Sequence, residues 1–411
     1  MRFSSGILFE ALIILIALPA SILLNRHLGA EARGILAAML LMPCIAGTVV
    51  SSQWDRTLRA QITSKVNSPA EVWTRTKKYT WLMSVVGLAL SFVLIGTQWQ
   101  LTIEQRFQAM LAALFLVPLS LAGLFMTTFL AAINDLNASY TVRVVGPVVF
   151  LLVILLGVWQ GLSVPVALSA NVLLWVGACL VGWFFLRSHH LTSVSVRVFD
   201  ANIKTLLSPL PPFALEVMSL QADVWFLSAF VGNVVTGAYV AFRVFEFPLK
   251  VIVFGMINVG SGRVRWTNIA MVQDFVRKGS LTMALVGGAV MAGTLLFGRF
   301  LVVTVLGESF GDQVWMLPYI VAAGALANTA FLFLTVIQLQ GQQALYLKIQ
   351  SADGVLRIVL IGIGCLIGGA HGVLIAICAA SFIKLAICGL GLVLSRSALQ
   401  SSPQLEAEIT R

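Results

Sequence analysis

The chain has 411 residues, 59% of them hydrophobic and only 10% formally charged, against about 25% charged in a soluble domain. This excludes a globular domain carried on one membrane anchor, and it leaves room for about twelve spans of ~20 residues with short connections. The net charge of +10 does not point to nucleic acid, because lysines and arginines in so apolar a chain mark cytoplasmic loops.

The opening Met1-Arg-Phe-Ser-Ser-Gly-Ile resembles a signal peptide. However, Asn25-Arg26-His27 lacks the small residues of a cleavage site, so the first apolar run is expected to remain as a helix. Apolar runs predict spans at 7–24, 34–51, 79–97, 109–132, 142–159 and 163–186, then at 208–230, 236–256, 280–305, 315–338, 354–370 and 372–394. The expected fold class is therefore an all-α polytopic membrane protein of twelve transmembrane helices. It divides into a six-helix half over 1–190, a cytoplasmic linker at 191–207, a second six-helix half over 208–396 and a polar, disordered tail at 397–411.

Charge placement tests that map. With the N-terminus inside, Arg26, Arg33 and Arg106 are the only basic residues in outer segments. Arg243, Lys250, Arg299, Arg357 and Lys384 lie within spans, and the remaining Lys and Arg all fall in inner segments, Arg143 among them. That asymmetry fits an N-in, C-in orientation, and one missed span would spoil it. The inner segments at 52–78, 187–207 and 257–279 are basic and partly amphipathic, which suits a topology signal or contact with anionic lipid. The five cysteines sit in apolar stretches without metal-type spacing and read as inert membrane cysteines.

The first two spans are joined by Asn25-Arg-His-Leu-Gly29-Ala-Glu-Ala-Arg-Gly34, and spans seven and eight by Phe230-Val-Gly232-Asn-Val-Val-Thr-Gly237. Both turns carry Gly-x4-Gly, and in both cases the following span reaches a proline, Pro43 or Pro248. Placed after span one and after span seven of twelve, they suggest two repeats of like orientation, an arrangement common among transporters.

These features, together with Leu28-Gly29…Gly34, Asp223-Val-Trp-Phe-Leu…Gly232…Gly237-Ala-Tyr239-Val-Ala and Val305-Leu-Gly307-Glu-Ser-Phe310, resemble polysaccharide-biosynthesis flippases. Those are the Wzx-type members of the MOP (multidrug/oligosaccharidyl-lipid/polysaccharide) exporter superfamily. The resemblance implies two six-helix bundles around a central cavity and a multi-pass protein of a bacterial inner membrane. It also implies a lipid-linked oligosaccharide as substrate, bound for O-antigen, capsule or another exopolysaccharide. A polysaccharide polymerase and a chain-length regulator are the partners it suggests, and a proton or sodium ion the coupling species. No cofactor, metal or nucleic acid is expected.

The charges within spans supply candidate site residues. On span eight, Thr236, Tyr239, Arg243, Glu246 and Lys250 recur at helical spacing, so one continuous helix would place them on one face. Such a stripe suits a wet lumen, the alternative being that Glu246 neutralises Arg243 while Lys250 snorkels to the interface. On span seven, Glu216, Ser219 and Asp223 share a face behind Pro209, Pro211 and Pro212, which are expected to bend or unwind the start of the helix. Asp223 is the leading candidate for a coupling acid, with a structural pair to Arg243 as the alternative. Glu10 in span one and Lys384 in span twelve are the hardest to dismiss as interface residues. Arg357 is either a cavity residue or the i,i+4 partner of Asp353, and Arg299 lies near a helix end. Arg26 resembles a basic position ahead of the first-turn glycine in related lipid flippases. The substrate-cavity set is thus Arg26, Tyr239, Arg243, Lys250, Arg299, Arg357 and Lys384. The acids Glu10, Glu216, Asp223 and Glu246 serve coupling or charge pairing.

A drug or metabolite exporter of the same superfamily is the nearest rival, although it would need acids facing an organic cation. A membrane polymerase or ligase would need catalytic groups near a sizeable outer loop, and the outer connections here are short. No Gly-x4-Gly-Lys-Ser/Thr loop occurs, so no nucleotide hydrolysis and no enzymatic activity are expected. A passive scramblase fits the repeat and the buried charge as well as a coupled transporter does.

Overall fold

The computed structural model describes residues 2–63, 69–133, 135–189, 210–264, 266 and 268–400, with side chains described for only part of the helices. The expected linker at 191–207 and residues 401–411 of the expected tail lie outside the described residues. Among the described residues all regular structure is helical: α1 (Arg2–Thr63), α2 (Pro69–Gly96), α3 (Ile103–Ala132), α4 (Leu136–Gln160), α5 (Val164–Ser188), α6 (Leu210–Phe226), α7 (Asn233–Phe242), α8 (Phe247–Arg263), α9 (Ile269–Leu306), α10 (Leu317–Leu339) and α11 (Gln343–Gln400). A π-helical turn, Leu227–Val231, follows α6, and 3-10 turns occupy Arg243–Glu246 and Glu308–Met316. Among the described residues eight helical stretches are long and apolar enough to cross a membrane, and Trp81, Trp159, Leu296, Phe300 and Ile367 point outward with most of their surface uncovered. In water that apolar skin would be a liability; against lipid it is the expected outer face. The chain is a multi-pass membrane protein.

The helices differ from the expected spans in three instructive ways. First, α1 covers expected spans one and two without a loop, and α11 covers spans eleven and twelve. Each is interrupted by one non-helical glycine, Gly29 (φ 73, ψ 175) in α1 and Gly369 (φ 53, ψ −128) in α11. A left-handed φ is accessible to glycine at little cost, so one residue suffices where the sequence suggested a ten-residue turn. Second, the inner segment 52–78 is largely helical, since α1 runs to Thr63 and α2 starts with Pro69. Hydropathy marks the apolar length of a helix, whereas backbone hydrogen bonding continues beyond it. Third, expected span eight is broken by the 3-10 turn Arg243–Glu246, with Pro248 in the first turn of α8. A proline there has no N–H for the carbonyl of Val244 and crowds it, so the helix tightens just upstream. By contrast, Pro211 and Pro212 begin α6 rather than unwinding it, because the first N–H groups of a helix need no intrahelical partner.

The chain packs as two compact units, one formed by Met1–Ala241 with Val303–Gly311, the other by Phe242–Val302 with Asp312–Arg411. Residues 210–241, placed by sequence in the second half, thus pack within the first unit. In that unit α1 touches α2, α3, α4, α5 and α6, and α3 lies against α2, α4 and α5. Its core joins Trp73, Tyr79 and Met83 to Val117, Leu121, Phe125 and Phe129, with Trp73 edge-on to Phe129 at 5.2 Å between ring centroids. The closest approach is made by the two glycine turns. A Cβ on Gly34 would stand 1.8 Å from the carbonyl oxygen of Asn233, and one on Gly237 would stand 1.8 Å from that of Ala30. Each glycine therefore meets the residue that follows the first glycine of the other turn. The relation is reciprocal, as expected where two copies of one motif cross, and only a residue without a side chain permits it.

In the second unit α10 packs on α11, on α8 and on the Arg243–Glu246 turn. The core joins Val272 and Val276 of α9 to Ala330, Leu334 and Ile337 of α10 and to Tyr346, Ile349, Cys388 and Leu392 of α11. At the Gly369 break the chain folds back on itself: Gly364 and Gly372 approach so closely that a Cβ on either would meet the other's carbonyl oxygen, at 2.4 and 1.9 Å.

Candidate functional site

Asp223 sits on the buried face of α6, one turn after Ser219, and neither side chain reaches the surface (0% and 2% exposed). The turn from α6 into α7 brings Tyr239 across from it. The Tyr239 hydroxyl donates to Asp223 Oδ2 at 2.5 Å, and the amide of Val224 donates to Oδ1 at 2.8 Å. Charge-assisted hydrogen bonds of this length are the strong kind, and a buried carboxylate needs them. Thr236, one turn before Tyr239, is fully buried and donates to the carbonyl of Gly232 at 2.8 Å. The π-helical turn adds Ser228, whose hydroxyl lies 3.1 Å from Gln98 Oε1, both side chains being fully buried. Replacing Tyr239 with phenylalanine keeps the ring and removes one donor to Asp223. It is expected to cost about 1–3 kcal/mol, visible as a lower melting temperature of purified protein; an unchanged melting curve would show that the hydrogen bond is replaceable.

The expected stripe on span eight does not persist as one helical face. Thr236 and Tyr239 belong to the first unit and are buried, whereas Arg243, Glu246 and Lys250 belong to the second. The 3-10 turn that contains Arg243 and Glu246 has three residues per turn, which disrupts the 3-4 register. Lys250 pairs with Glu246 at 2.9 Å, with side chains 34% and 11% exposed. Glu246 in turn packs on α10, where a Cβ at Gly324 would meet Glu246 Cγ at 3.0 Å.

The arms of α11 bring together Lys384 and Asp353 at 2.6 Å, with side chains 11% and 5% exposed. Gln350 Oε1 lies 3.5 Å from the ammonium, and Gln350 Nε2 donates to Tyr346 Oη at 3.2 Å. The sequence reading offered Asp353 to Arg357 on the same helix. The structure gives it Lys384, because the fold-back at Gly369 sets two residues nearly equidistant from that glycine level with one another. Arg357 itself is buried, at 9% exposed. Arg299 is exposed on α9. Arg26 is exposed, and its guanidinium donates to the carbonyl of Thr304 at 3.2 Å. The side chains of Glu10 and Glu216 lie outside the described residues. Three close pairs involve the predicted site residues: Asp223 with Tyr239, Glu246 with Lys250, and Lys384 with Asp353.

Sequence reasoning missed Arg143. Counted with the inner basic residues although it stands at the start of the span expected at 142–159, it lies inside α4 and lines a cavity of about 870 Å³ within the first unit, walled by α1, α3, α4 and α5. The available signal was its place beside the apolar run 144–158, one turn ahead of Pro147.

No protein-family model matches the chain, and no curated protein matches it by sequence. Solved structures match it over nearly its whole length. An inward-facing multidrug resistance MATE family transporter of the MOP superfamily is similar with a TM-score of 0.71 at 15% identity, covering 95% of this chain and 96% of that one. The lipid II flippase MurJ, in an inward closed conformation, is similar with a TM-score of 0.72 at 12% identity, covering 95% and 87%. The Vibrio cholerae MATE transporter VcmN in its bent form gives 0.57 at 16% identity, covering 97% and 96%. At these identities the likeness establishes the fold, which is that of MOP-superfamily transporters and flippases.

Proposed function

We propose that the protein is a flippase that moves a polyprenyl-pyrophosphate-linked oligosaccharide repeat unit from the inner to the outer leaflet of a bacterial inner membrane. The observation that carries this reading is the shared fold with a lipid II flippase over 95% of the chain, joined to the basic groups embedded in its apolar helices. This reading takes the two arms of α1 and of α11 as separate crossings, adds 210–231 and 233–263, and so has twelve crossings in two repeats. The basic bias of the predicted inner segments then sets both termini in the cytoplasm. A lipid-linked sugar has an anionic phosphate and a head too polar to cross hydrocarbon unaided. A hydrated path with arginine and lysine serves that head while the lipid tail stays in the bilayer. In this reading Arg243, Lys250 and Lys384 attract the head group, and Asp223, held by Tyr239, is the acid that exchanges a coupling proton or sodium ion. The surface-polysaccharide polymerase and chain-length regulator act on the product.

The test is chemical. In a deletion strain, polyprenyl-linked glycans are extracted, weighed by mass spectrometry and assigned to a leaflet. One completed repeat unit is expected to accumulate on the cytoplasmic side, and alanine at Asp223 or Arg243 is expected to reproduce that accumulation at normal protein levels in the membrane. The second reading, a cation-coupled multidrug exporter, draws on the equally good likeness to a MATE transporter. It requires the opposite outcome, with normal lipid-linked glycans and new sensitivity to cationic drugs.

A further inference from the structure

A second, smaller recess of about 130 Å³ lies in the first unit between α2, α3 and α5, walled by Ala122, Phe125, Met126 and Trp183 and bordered by Trp73 and Lys77. The apolar lengths of the three helices fix its depth. The membrane-length stretch of α2 starts at Thr76, that of α3 ends at Ala132 and that of α5 ends at Ser188, so Lys77, Met126 and Trp183 all stand within two turns of those limits. That is the edge of the hydrocarbon, where lipid phosphates lie. The recess opens on the outer surface of the unit. Lys77 is exposed and Trp183 is 43% exposed, while Trp81, one turn beyond Lys77, and Phe184 present most of their surface. Such an apolar rim suits acyl chains rather than water. Within the recess one donor is unmatched. Trp73 is 3% exposed, its ring is edge-on to Phe129, and among the described residues its indole N–H has no hydrogen-bond partner. A buried indole N–H ordinarily finds an acceptor, because leaving it unmade is costly. Lys77 follows Trp73 by one helical turn, which puts an ammonium on the same face of α2.

Two donors at the hydrocarbon edge, beside aromatic wall, describe an anionic group that carries an apolar chain. We propose that this recess holds the phosphate of an anionic phospholipid of the surrounding bilayer, bound as a resident partner and not as cargo. The Lys77 ammonium and the Trp73 N–H donate to phosphate oxygens, and an acyl chain leaves across Trp183. Size supports a compact group: about 130 Å³ is room for about four waters at ~30 Å³ each, well short of the ~300–1,000 Å³ of a site for a whole solute. Charge supports an anionic lipid over a zwitterionic one. Arg187, exposed one turn after Trp183, adds a cation at the same end of the unit, and the basic stretch 52–78 runs into the site. Among the described residues no carboxylate lines the recess. Asp135, at that end of the unit, is engaged by His189 at 2.9 Å and by the amide of Ala138 at 3.1 Å. The assignment stands apart from the identity of the transported solute.

The experiment is native mass spectrometry of the purified, delipidated full-length protein in detergent, titrated with dioleoylphosphatidylglycerol, dioleoylphosphatidylcholine or inorganic phosphate. The first phosphatidylglycerol bound is expected to be held about tenfold more tightly than phosphatidylcholine. Lys77→Gln is expected to weaken it by about fivefold to tenfold, and Lys77→Arg to keep it. Trp73→Phe, which removes the indole N–H, should weaken it as well. Ala122→Leu fills the recess without altering its charge and should weaken it as much as Lys77→Gln; it carries the test if the Trp73 variant does not fold. Lys278→Gln is the control, since Lys278 is an exposed lysine of the second unit paired with Asp274, and it should leave binding unchanged. Equal binding of phosphatidylcholine, or unchanged binding by both Lys77→Gln and Ala122→Leu, overturns the assignment and leaves the indole to water. A loss with Lys278→Gln as large as with Lys77→Gln overturns it too, by showing diffuse attraction to a basic protein. Displacement of phosphatidylglycerol by excess inorganic phosphate would make a free phosphate, not a lipid, the ligand.

Discussion

Alanine at Gly34 or at Gly237 is expected to destabilise the protein by about 3 kcal/mol or more, the upper end of what overpacking costs. The added Cβ would lie 1.8 Å from a backbone carbonyl oxygen in each case. Real Cβ contacts essentially never fall under 3.0 Å, so the two chain segments must separate by more than about 1 Å. The obstacle is backbone within a packed helix, not the free end of a side chain, so no rotamer change relieves it. Every contact near the crossing loosens with it, including the one that sets Tyr239 against Asp223. Purified variants should show a melting temperature well below that of the wild type. Gly288→Ala is the control: it sits in a helix with nothing within 4 Å of its Cβ position, so it should be neutral or slightly stabilising. The double variant Gly34→Ala/Gly237→Ala makes the sharper test. Both clashes are relieved by the same separation, so the double should cost clearly less than the sum of the singles. Strict additivity would mean that the two contacts are independent and that the crossing does not act as a unit.

Lys384→Met is expected to cost about 3–5 kcal/mol, because it strands a carboxylate in the interior. Asp353 is only 5% exposed in its side chain and its ammonium partner is 2.6 Å away; Gln350 and Tyr346 nearby are neutral. Asp353→Leu should be comparably harmful, leaving the lysine stranded in turn. The double variant Lys384→Met/Asp353→Leu should recover most of the loss, since a buried ion pair contributes little over apolar packing of similar volume. Thermal unfolding of the four proteins in one detergent closes the cycle. If the double is as unstable as either single, the pair is not an isolated unit and Arg357, buried one turn after Asp353, is the first neighbour to examine. Transport by a stable double variant would separate the structural role of the pair from the role in substrate attraction proposed for Lys384.

Much of the architecture was legible in the sequence because lipid leaves the backbone few choices. With no water to satisfy N–H and C=O groups, an apolar run of membrane length has to be helical. The positions of Gly29 and Gly232 were legible too, since a break of positive φ in a helix falls on glycine. Their partners Gly34 and Gly237 were seen as the ends of the joining turns, at the start of the spans expected at 34–51 and 236–256. They are helical, and what they supply is the absence of a side chain at a crossing of two segments some two hundred residues apart, which no local pattern reveals.

The amino-acid sequence by itself determined the class of the molecule, the placement of its apolar helices and the list of ionisable groups that have to be accommodated among them. Composition and periodicity are local properties, and the hydrophobic effect reads them locally. Only the tertiary structure decided who pairs with whom. Asp223 met Tyr239 because a π-helical turn and a positive-φ glycine return the chain at that angle, Asp353 met Lys384 because α11 doubles back at Gly369, and Arg143 became a cavity residue because four helices wall the space beside it. Each of these depends on the direction in which a side chain is carried by a break in the helix. A single non-helical residue changes that direction for everything beyond it, and hydropathy has no term for it.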